Sequence, residues 1–533
     1  MKNVLWGSFI IFLPLMLCLP LAHPAKQSVP KEEASCYECH EQINVLREGS
    51  KHVRLACSTC HGQLKEHLEN PEKMPETNLE ASLCGSCHRS QYETFISVNL
   101  ESRARVEKST TTSRSPAADK LLMPHGFTKE HNEPRSHAFM LIDKLIVDRA
   151  YGGRFQLRSK EDIGKPGRLW DEVVDTGREL PQTAMAGNTV CMTCKTTDAI
   201  LTWPYMGDPH PATDLKRGGN AGAITMAKKY LQSPMGCIHC HDPHGAKPRV
   251  VRDALIEAVV DRSKGTYPYD KEKSERIKMT KLEFSRGGEP FRAIGILNRP
   301  DSNILCAQCH VEYNCNPGFD PKTGAAVPMD DRRANYFPWV NTFDIQKRYE
   351  ELGFKDFRHA ITGAPLTKLQ HPETETFWGS KHERAGVECK DCHMPRVKGK
   401  KGKRFTYHGQ RSARYMLKDT CVLCHPKWSP KKAEYQVDAI QNYVRGKMRK
   451  AEFWLEQLID TYVRARDLGV KDPVLQEAHA YHDRAHILWE WWTAENSDGF
   501  HNPDAARESL TQSINASQEG IKFLEKAIEE RKR

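Results

Sequence analysis

Apolar residues are scarce in this chain of 533: the hydrophobic types supply 38% and aromatics only 8%. Beyond Leu21 no apolar run approaches the roughly 20 residues that a membrane-spanning helix takes. Runs of alternating character are also few, which argues against a β-sandwich or barrel. Cysteine is nearly absent outside one pattern. Of 18 cysteines, 16 fall in Cys-x-x-Cys units, which leaves Cys18 and Cys315. That arithmetic argues against a disulfide framework, in which spare cysteines would have to pair. So little apolar material in so long a chain means either disorder or an interior filled by something other than side chains.

Eight Cys-x-x-Cys units are present, and seven are followed at once by histidine. They are Cys36/Cys39 with His40, Cys57/Cys60 with His61, Cys84/Cys87 with His88, Cys237/Cys240 with His241, Cys306/Cys309 with His310, Cys389/Cys392 with His393, and Cys421/Cys424 with His425. Zinc knuckles also use paired cysteines but do not require the adjacent histidine. Cys-x-x-Cys-His is the attachment signature of a c-type haem: two thiols bond the vinyl groups and the histidine falls under the iron. Eight covalent haems fill a core that side chains do not. The fourth unit in order, Cys191/Cys194, ends in Lys195. An amine ligates iron only when deprotonated, so Lys195 needs metal and burial to lower its proton affinity. The far side of that iron is then free for substrate.

Residues 1–25 read as a secretory signal, with Lys2, an apolar stretch from Val4 to Leu21, and small residues at Ala22 and Ala25. A periplasmic location follows; an uncleaved N-terminal membrane anchor is the alternative. Cys18 belongs to this stretch. The formal charge of +10 is offset by haem propionates and gives no argument for nucleic acid. The basic run Arg396 to Arg404 reads as a solvated loop, with an anion-collecting surface as the alternative. Three motifs crowd between Cys36 and His88, followed by a Ser/Thr/Arg-rich stretch, Glu101 to Asp119. The expected domains are a three-haem electron-input domain with linker over 26–120 and a five-haem catalytic domain over 121–533. The last hundred residues carry helical periodicity. Ala433 to Leu468 places Ile440, Tyr443, Val444, Met448, Phe453, Leu455, Leu458, Ile459 and Tyr462 on one broad face. Pro473 opens a second helix, and Asn502-Pro503-Asp504 a third. The fold class is mainly α, a multihaem c-type cytochrome with long C-terminal helices and little β structure.

Of 24 histidines, 16 remain after the motif ligands and His23 are set aside, enough for a second ligand on each of seven haems. His52 and His67 flank the second motif and His244 follows the fifth, which makes them candidates.

Four strings carry a family resemblance: the Lys motif, Pro134-Arg135-Ser136-His137-Ala138-Phe139, Glu312-Tyr313-Asn314-Cys315, and Lys368-Leu369-Gln370-His371-Pro372-Glu373. Together with the ending Ala494 to Pro503, they resemble cytochrome c nitrite reductases, which form ammonium from nitrite. The three extra motifs and Cys315 point to the octahaem branch. The resemblance implies Arg135, Tyr313 and His371 as catalytic residues over the Lys195 haem. It implies calcium held by Glu312 and Gln370 with the carbonyls of Tyr313 and Lys368, a hard oxygen set. It also implies a Tyr313–Cys315 thioether, and His137, His382, His408 and His501 as distal ligands. For the N-terminal haems the candidates are His52, His67, His125, His131, His244 and His486. Hydroxylamine and sulfite are implied as side substrates, an unidentified periplasmic or membrane-bound protein as electron donor, and a homo-oligomer, hexameric by the same resemblance. The rivals are an octahaem tetrathionate reductase, a hydroxylamine-oxidising relative, and a non-enzymatic electron conduit.

Overall fold

The computed structural model describes residues 34–97, 117–122, 136–139, 193–197, 234–262, 265–286, 289–314, 317–328, 331–399 and 402–533. The expected signal segment, Arg135, His125, His131, Cys191 and Cys315 lie outside these residues, as does most of the Glu101–Asp119 stretch.

Three long helices form the C-terminal body: Pro430–Asp467, Asp472–Ala494 and Pro503–Lys532. Each has proline in its first turn, where the missing N–H costs nothing. Ser429 Oγ accepts from Lys432 N–H at 3.1 Å, and Asn502 Oδ1 from Ala505 N–H at 3.2 Å. These caps satisfy donors that have no partner within the helix. The buried stripe of the first helix runs Val444, Met448, Ala451, Leu455, Leu458, Tyr462 and Ala465, steps of three and four residues. Tyr443 and Phe453, expected on the apolar face, are more than half exposed. Tyr443 sits about 100° of helical turn from Val444, and Phe453 about 160° from Ala451 and Leu455, too far round to reach the core. Trp489, Trp491 and Trp492 of the second helix are fully buried. The short helix Ala118–Leu122 adds Leu121 and Leu122 to the same core.

A small antiparallel sheet joins the N-terminal segment to the centre. Its strands are β1 (Arg249–Val250), β2 (Met279–Arg286) and β3 (Glu289–Leu297), in the order β1-β3-β2. Side chains alternate across it, as the pleat requires. Leu282, Phe284, Ile294 and Ile296 take Ile43 and Leu46 from the helix Glu41–Arg47. Met279, Ala293 and Leu297 face the core that holds Tyr313, Phe337 and Trp339. Arg47 ties the following loop, with Nη2 donating to the carbonyls of Val53 and Leu55 at 3.0 and 2.6 Å. No helix among the described residues is long and apolar enough to cross a membrane.

Candidate functional site: seven histidine pairs and a lysine

Every motif histidine faces a second histidine. The pairs are His40–His67 and His52–His88 at 6.1 Å between ring centroids, His61–His244 and His137–His310 at 6.3 Å, His393–His501 at 6.2 Å, and His241–His408 and His382–His425 at 6.4 Å. Two imidazoles bound on opposite sides of one metal, with metal–nitrogen bonds of about 2.0 Å, put their centroids about 6.3 Å apart. The ring nitrogens agree with such a role. Nδ1 of His67 meets Lys73 O at 2.9 Å, His52 Nδ1 meets Pro243 O at 2.7 Å, and His393 Nδ1 meets Arg411 O at 3.0 Å. His408 Nδ1 meets Thr406 O at 2.7 Å, and His61 Nδ1 meets Thr77 Oγ1 at 3.0 Å. An Nδ1–H held this way leaves Nε2 with its lone pair for a metal. Desolvation pushes His137 down to about 3 and His241 and His393 down to about 4. The neutral imidazole, the metal-binding form, is therefore favoured.

Carboxylates stand beside three further ring nitrogens, and the sequence reading missed all three. Glu495 Oε1 lies 2.6 Å from His501 Nδ1, Glu373 Oε2 3.3 Å from His310 Nδ1, and Asp242 Oδ1 3.7 Å from His244 Nδ1. Asp242 and Glu373 each stand two residues from a candidate histidine, a proximity that could have drawn attention to them. His486, named as a distal candidate, sits instead in the second terminal helix. Its Nε2 meets Glu490 Oε2 at 2.8 Å within the buried body. The apolar drive that buries this face of the helix carries His486 away from the motifs.

Seven of the eight motifs contribute to the wall of one cavity of about 2320 Å³, several times the ~300–1,000 Å³ of a small-molecule pocket. Its walls include His52, His88, His137, Lys195, His241, His310, His371, His382, His393, His408, His425 and His501. Among the described residues the motif cysteines are free thiols. Several from different motifs touch: Cys84 with Cys237, Cys194 with Cys309, and Cys306 with Cys389. Cys60 lies near Cys84, Cys240 near Cys306, and Cys392 near Cys421. His40 lies near the His61–His244 pair through His244.

The first motif stands apart from the other seven. Cys39 is exposed, and neither it nor Cys36 lines the cavity. Cys87 and Cys424 are exposed too, yet stand in the cavity wall. Cys39 ends the six-residue helix Ala34–Cys39. Tyr37 is the one large side chain of that helix, so it has little apolar surface to draw it inward. The case for a haem at this motif rests on the His40–His67 pair. Paired imidazoles, adjacent thiols and a shared cavity fit covalent haem on the residues of the other motifs.

The lysine motif differs. Cys194 and Lys195 are buried, and Met235 N–H donates to Lys195 O at 3.0 Å. Arg252 donates to Thr193 Oγ1, which pins the motif loop. Tyr313 and His371 stack, with centroids 6.2 Å apart and planes 14° apart. Phe337 backs Tyr313 at 5.9 Å. His371 also meets the His310 ring edge-on at 6.3 Å. Two of the three expected catalytic residues are thus together, beside the His137–His310 pair. Arg135 precedes Ser136, which is buried, and itself lies outside the described residues.

Glu312, Tyr313, Lys368 and Gln370 form a buried cluster. Glu312 Oε2 accepts from Gln370 N–H at 2.7 Å, Oε1 accepts from Tyr349 Oη–H at 2.8 Å, and Lys368 N–H donates to Asp356 Oδ2 at 2.8 Å. Burial drives the Glu312 carboxyl well above the usual range, and the neighbouring charges of Glu490 and Asp356 add to it. That is the environment of a carboxylate set lacking a cation. Among the described residues no three His, Cys, Asp or Glu side chains converge at metal-binding distance. The implied set of one carboxylate, one amide and two carbonyls is of another kind.

The profile of the family described as cytochrome c552 matches residues 85–532. Cytochrome c-552 of Haemophilus influenzae is 28% identical over 403 residues, covering 73% of this chain and 63% of that protein. The chain thus spans less than two thirds of that relative's length. The cytochrome c nitrite reductase subunit NrfA of Nitratidesulfovibrio vulgaris is 26% identical over 437 residues, 78% of this chain and 69% of that one. Among solved structures, the catalytic subunit of cytochrome c nitrite reductase from Desulfovibrio desulfuricans, described with two calcium sites, superposes with a TM-score of 0.58. It is 21% identical and covers 85% of this chain and 87% of that one. With more than half of its residues matched by the family profile, the chain belongs to the cytochrome c552 family.

Proposed function

We propose that this chain is an exported, ammonia-forming nitrite reductase with eight c-type haems, seven held by histidine pairs and one by Lys195. The observation that carries the reading is the asymmetry of the ligands. Seven motif histidines have a partner ring at 6.1–6.4 Å, while the eighth motif has lysine and a Tyr313–His371 stack nearby. A haem held by Lys195 would supply electrons and a Lewis-acidic iron for nitrite. The remaining work falls to side chains. Arg135 supplies positive charge for an anion, and His371 and Tyr313 present donors to its oxygens. Asn496 Nδ2, 3.1 Å from His371 Nδ1, keeps the imidazole from rotating. The thiol contacts favour an electron path through successive motifs that reaches the lysine motif at Cys309, beside Cys194. The exposed first motif, with Cys39 at the surface, suits the entry of electrons from a donor protein.

Glu312, Gln370, and the carbonyls of Tyr313 and Lys368 would hold calcium behind the site and fix its floor. The Tyr313–Cys315 thioether belongs to the same proposal, as do the domain boundary near residue 120, a periplasmic location, a hexameric assembly and turnover of hydroxylamine and sulfite. Holoprotein supplied with reduced viologen should consume nitrite and release ammonium in equal amounts. Arg135→Ala should keep eight haems by mass and lose activity by roughly 100-fold or more. Holoprotein that leaves nitrite untouched rules out the proposal.

A further inference from the structure

Glu373 stands between two histidines with different work to do. Its Oε2 lies 3.3 Å from Nδ1 of His310, and its Oε1 lies 3.6 Å from Nδ1 of His371. Asn496 closes the triangle. Its Nδ2 is 3.1 Å from His371 Nδ1, and its backbone N–H donates to Glu373 Oε1 at 3.2 Å. The side-chain amide of Asn496 donates to the same oxygen. The backbone holds this arrangement in place. Thr374 donates to His310 O from its N–H at 3.1 Å and from Oγ1 at 2.5 Å. Glu373 itself is only 7% exposed.

A carboxylate that accepts the free N–H of a metal-bound imidazole makes that imidazole a stronger donor and fixes its orientation. The stronger ligand favours the oxidised iron and lowers its potential. Here the same carboxylate also borders the ring that faces substrate. The carboxylates Glu495 and Asp242 border a single paired ring each, His501 and His244.

We infer that Glu373 is a positioning residue shared by the electron path and the substrate face: it sets the potential of the haem ligated by His310 and aligns the ring of His371. The inference rests on the haem and nitrite roles proposed above.

The test is a spectroelectrochemical titration of holoprotein, with nitrite binding to the oxidised protein followed separately by absorbance. In Glu373→Gln, one low-spin haem should move to higher potential while the other six stay in place, and nitrite affinity should fall by about tenfold or more. Asn496→Leu should weaken nitrite binding without moving that potential. Glu373→Asp should restore both. The inference is overturned if Glu373→Gln leaves every potential at its wild-type value, or if Asn496→Leu moves the same haem as far. If Glu373→Gln loads fewer than eight haems, Glu373→Asp decides: a wild-type potential supports the inference, and a displaced one refutes it. Wild-type protein that binds no nitrite would sink the nitrite reading, while the potentials still test Glu373.

Discussion

Histidines in this chain are sorted by burial and by what holds their second nitrogen. Most of the paired histidines face the cavity. His239 and His359 belong to no motif pair and are nearly enclosed, at 3% and 1% exposure. His359 Nε2 meets Lys120 O at 2.8 Å, and His239 Nδ1 lies 3.3 Å from Gly236 N–H. Burial pushes both down to about 4. Unfolded, each would take up a proton near 6.5. The unfolded state therefore binds more protons between these values, and stability falls as pH drops from about 6.5 towards 4. Each residue contributes at most roughly 3 kcal/mol, in full above pH 6.5. Guanidinium unfolding midpoints of holoprotein should decline across that window, and His359→Asn should flatten the decline; an unchanged slope would contradict this. At this scale the sequence was only partly legible. Motif ligands are adjacent to their cysteines, so a five-residue window reveals them. The same window reveals nothing of burial, which is why Cys194, buried, and Cys39, Cys87 and Cys424, exposed, all read alike. Glu373 acts on His310 across more than 60 positions of chain, and only the folded chain brings them together.

The long helices were legible as elements because their signals are local: proline in the first turn, Ser429 and Asn502 as caps, and a stripe at three- and four-residue steps. The β2–β3 hairpin was not picked out. Its signal was present in the alternation Met279 to Arg286 followed by Gly287-Gly288, a residue pair common in tight hairpins. Where the helices meet, Gly520 makes close approach possible. A Cβ there would sit 2.8 Å from Leu458 Cδ1 and 2.8 Å from Tyr481 Cβ, so one residue of the third helix abuts both of the others. Gly520→Val should destabilise the body by about 1–3 kcal/mol through overpacking. Differential scanning calorimetry would show it as a lowered midpoint with haem content unchanged. A midpoint equal to wild type would mean that the helices separate without cost.

Considered whole, the molecule has a large cavity where a protein of this length would ordinarily place side chains. The 2320 Å³ cavity takes imidazoles, thiols and Lys195 from seven of the eight motifs into its wall, beside apolar side chains such as Phe95, Phe377 and Trp428. The low hydrophobic content now has a structural meaning: the chain supplies ligands and leaves the filling to the groups it binds. Chain produced without haem attachment should therefore fail to hold this fold. Limited proteolysis should cut it at least about tenfold faster than holoprotein, because ligands that bind only the folded state stabilise it. Equal resistance would show that side-chain packing alone suffices.

The His61–His244 pair joins residues about 180 positions apart, one from the crowded N-terminal motifs and one from the loop after the fifth. A metal clamped between them acts as a cross-link that closes a very long loop, and long loops surrender the most freedom when tied. In mechanical terms such a clamp would rivet the first three motifs to the rest. Excising them would remove that joint and leave His244 without its counterpart.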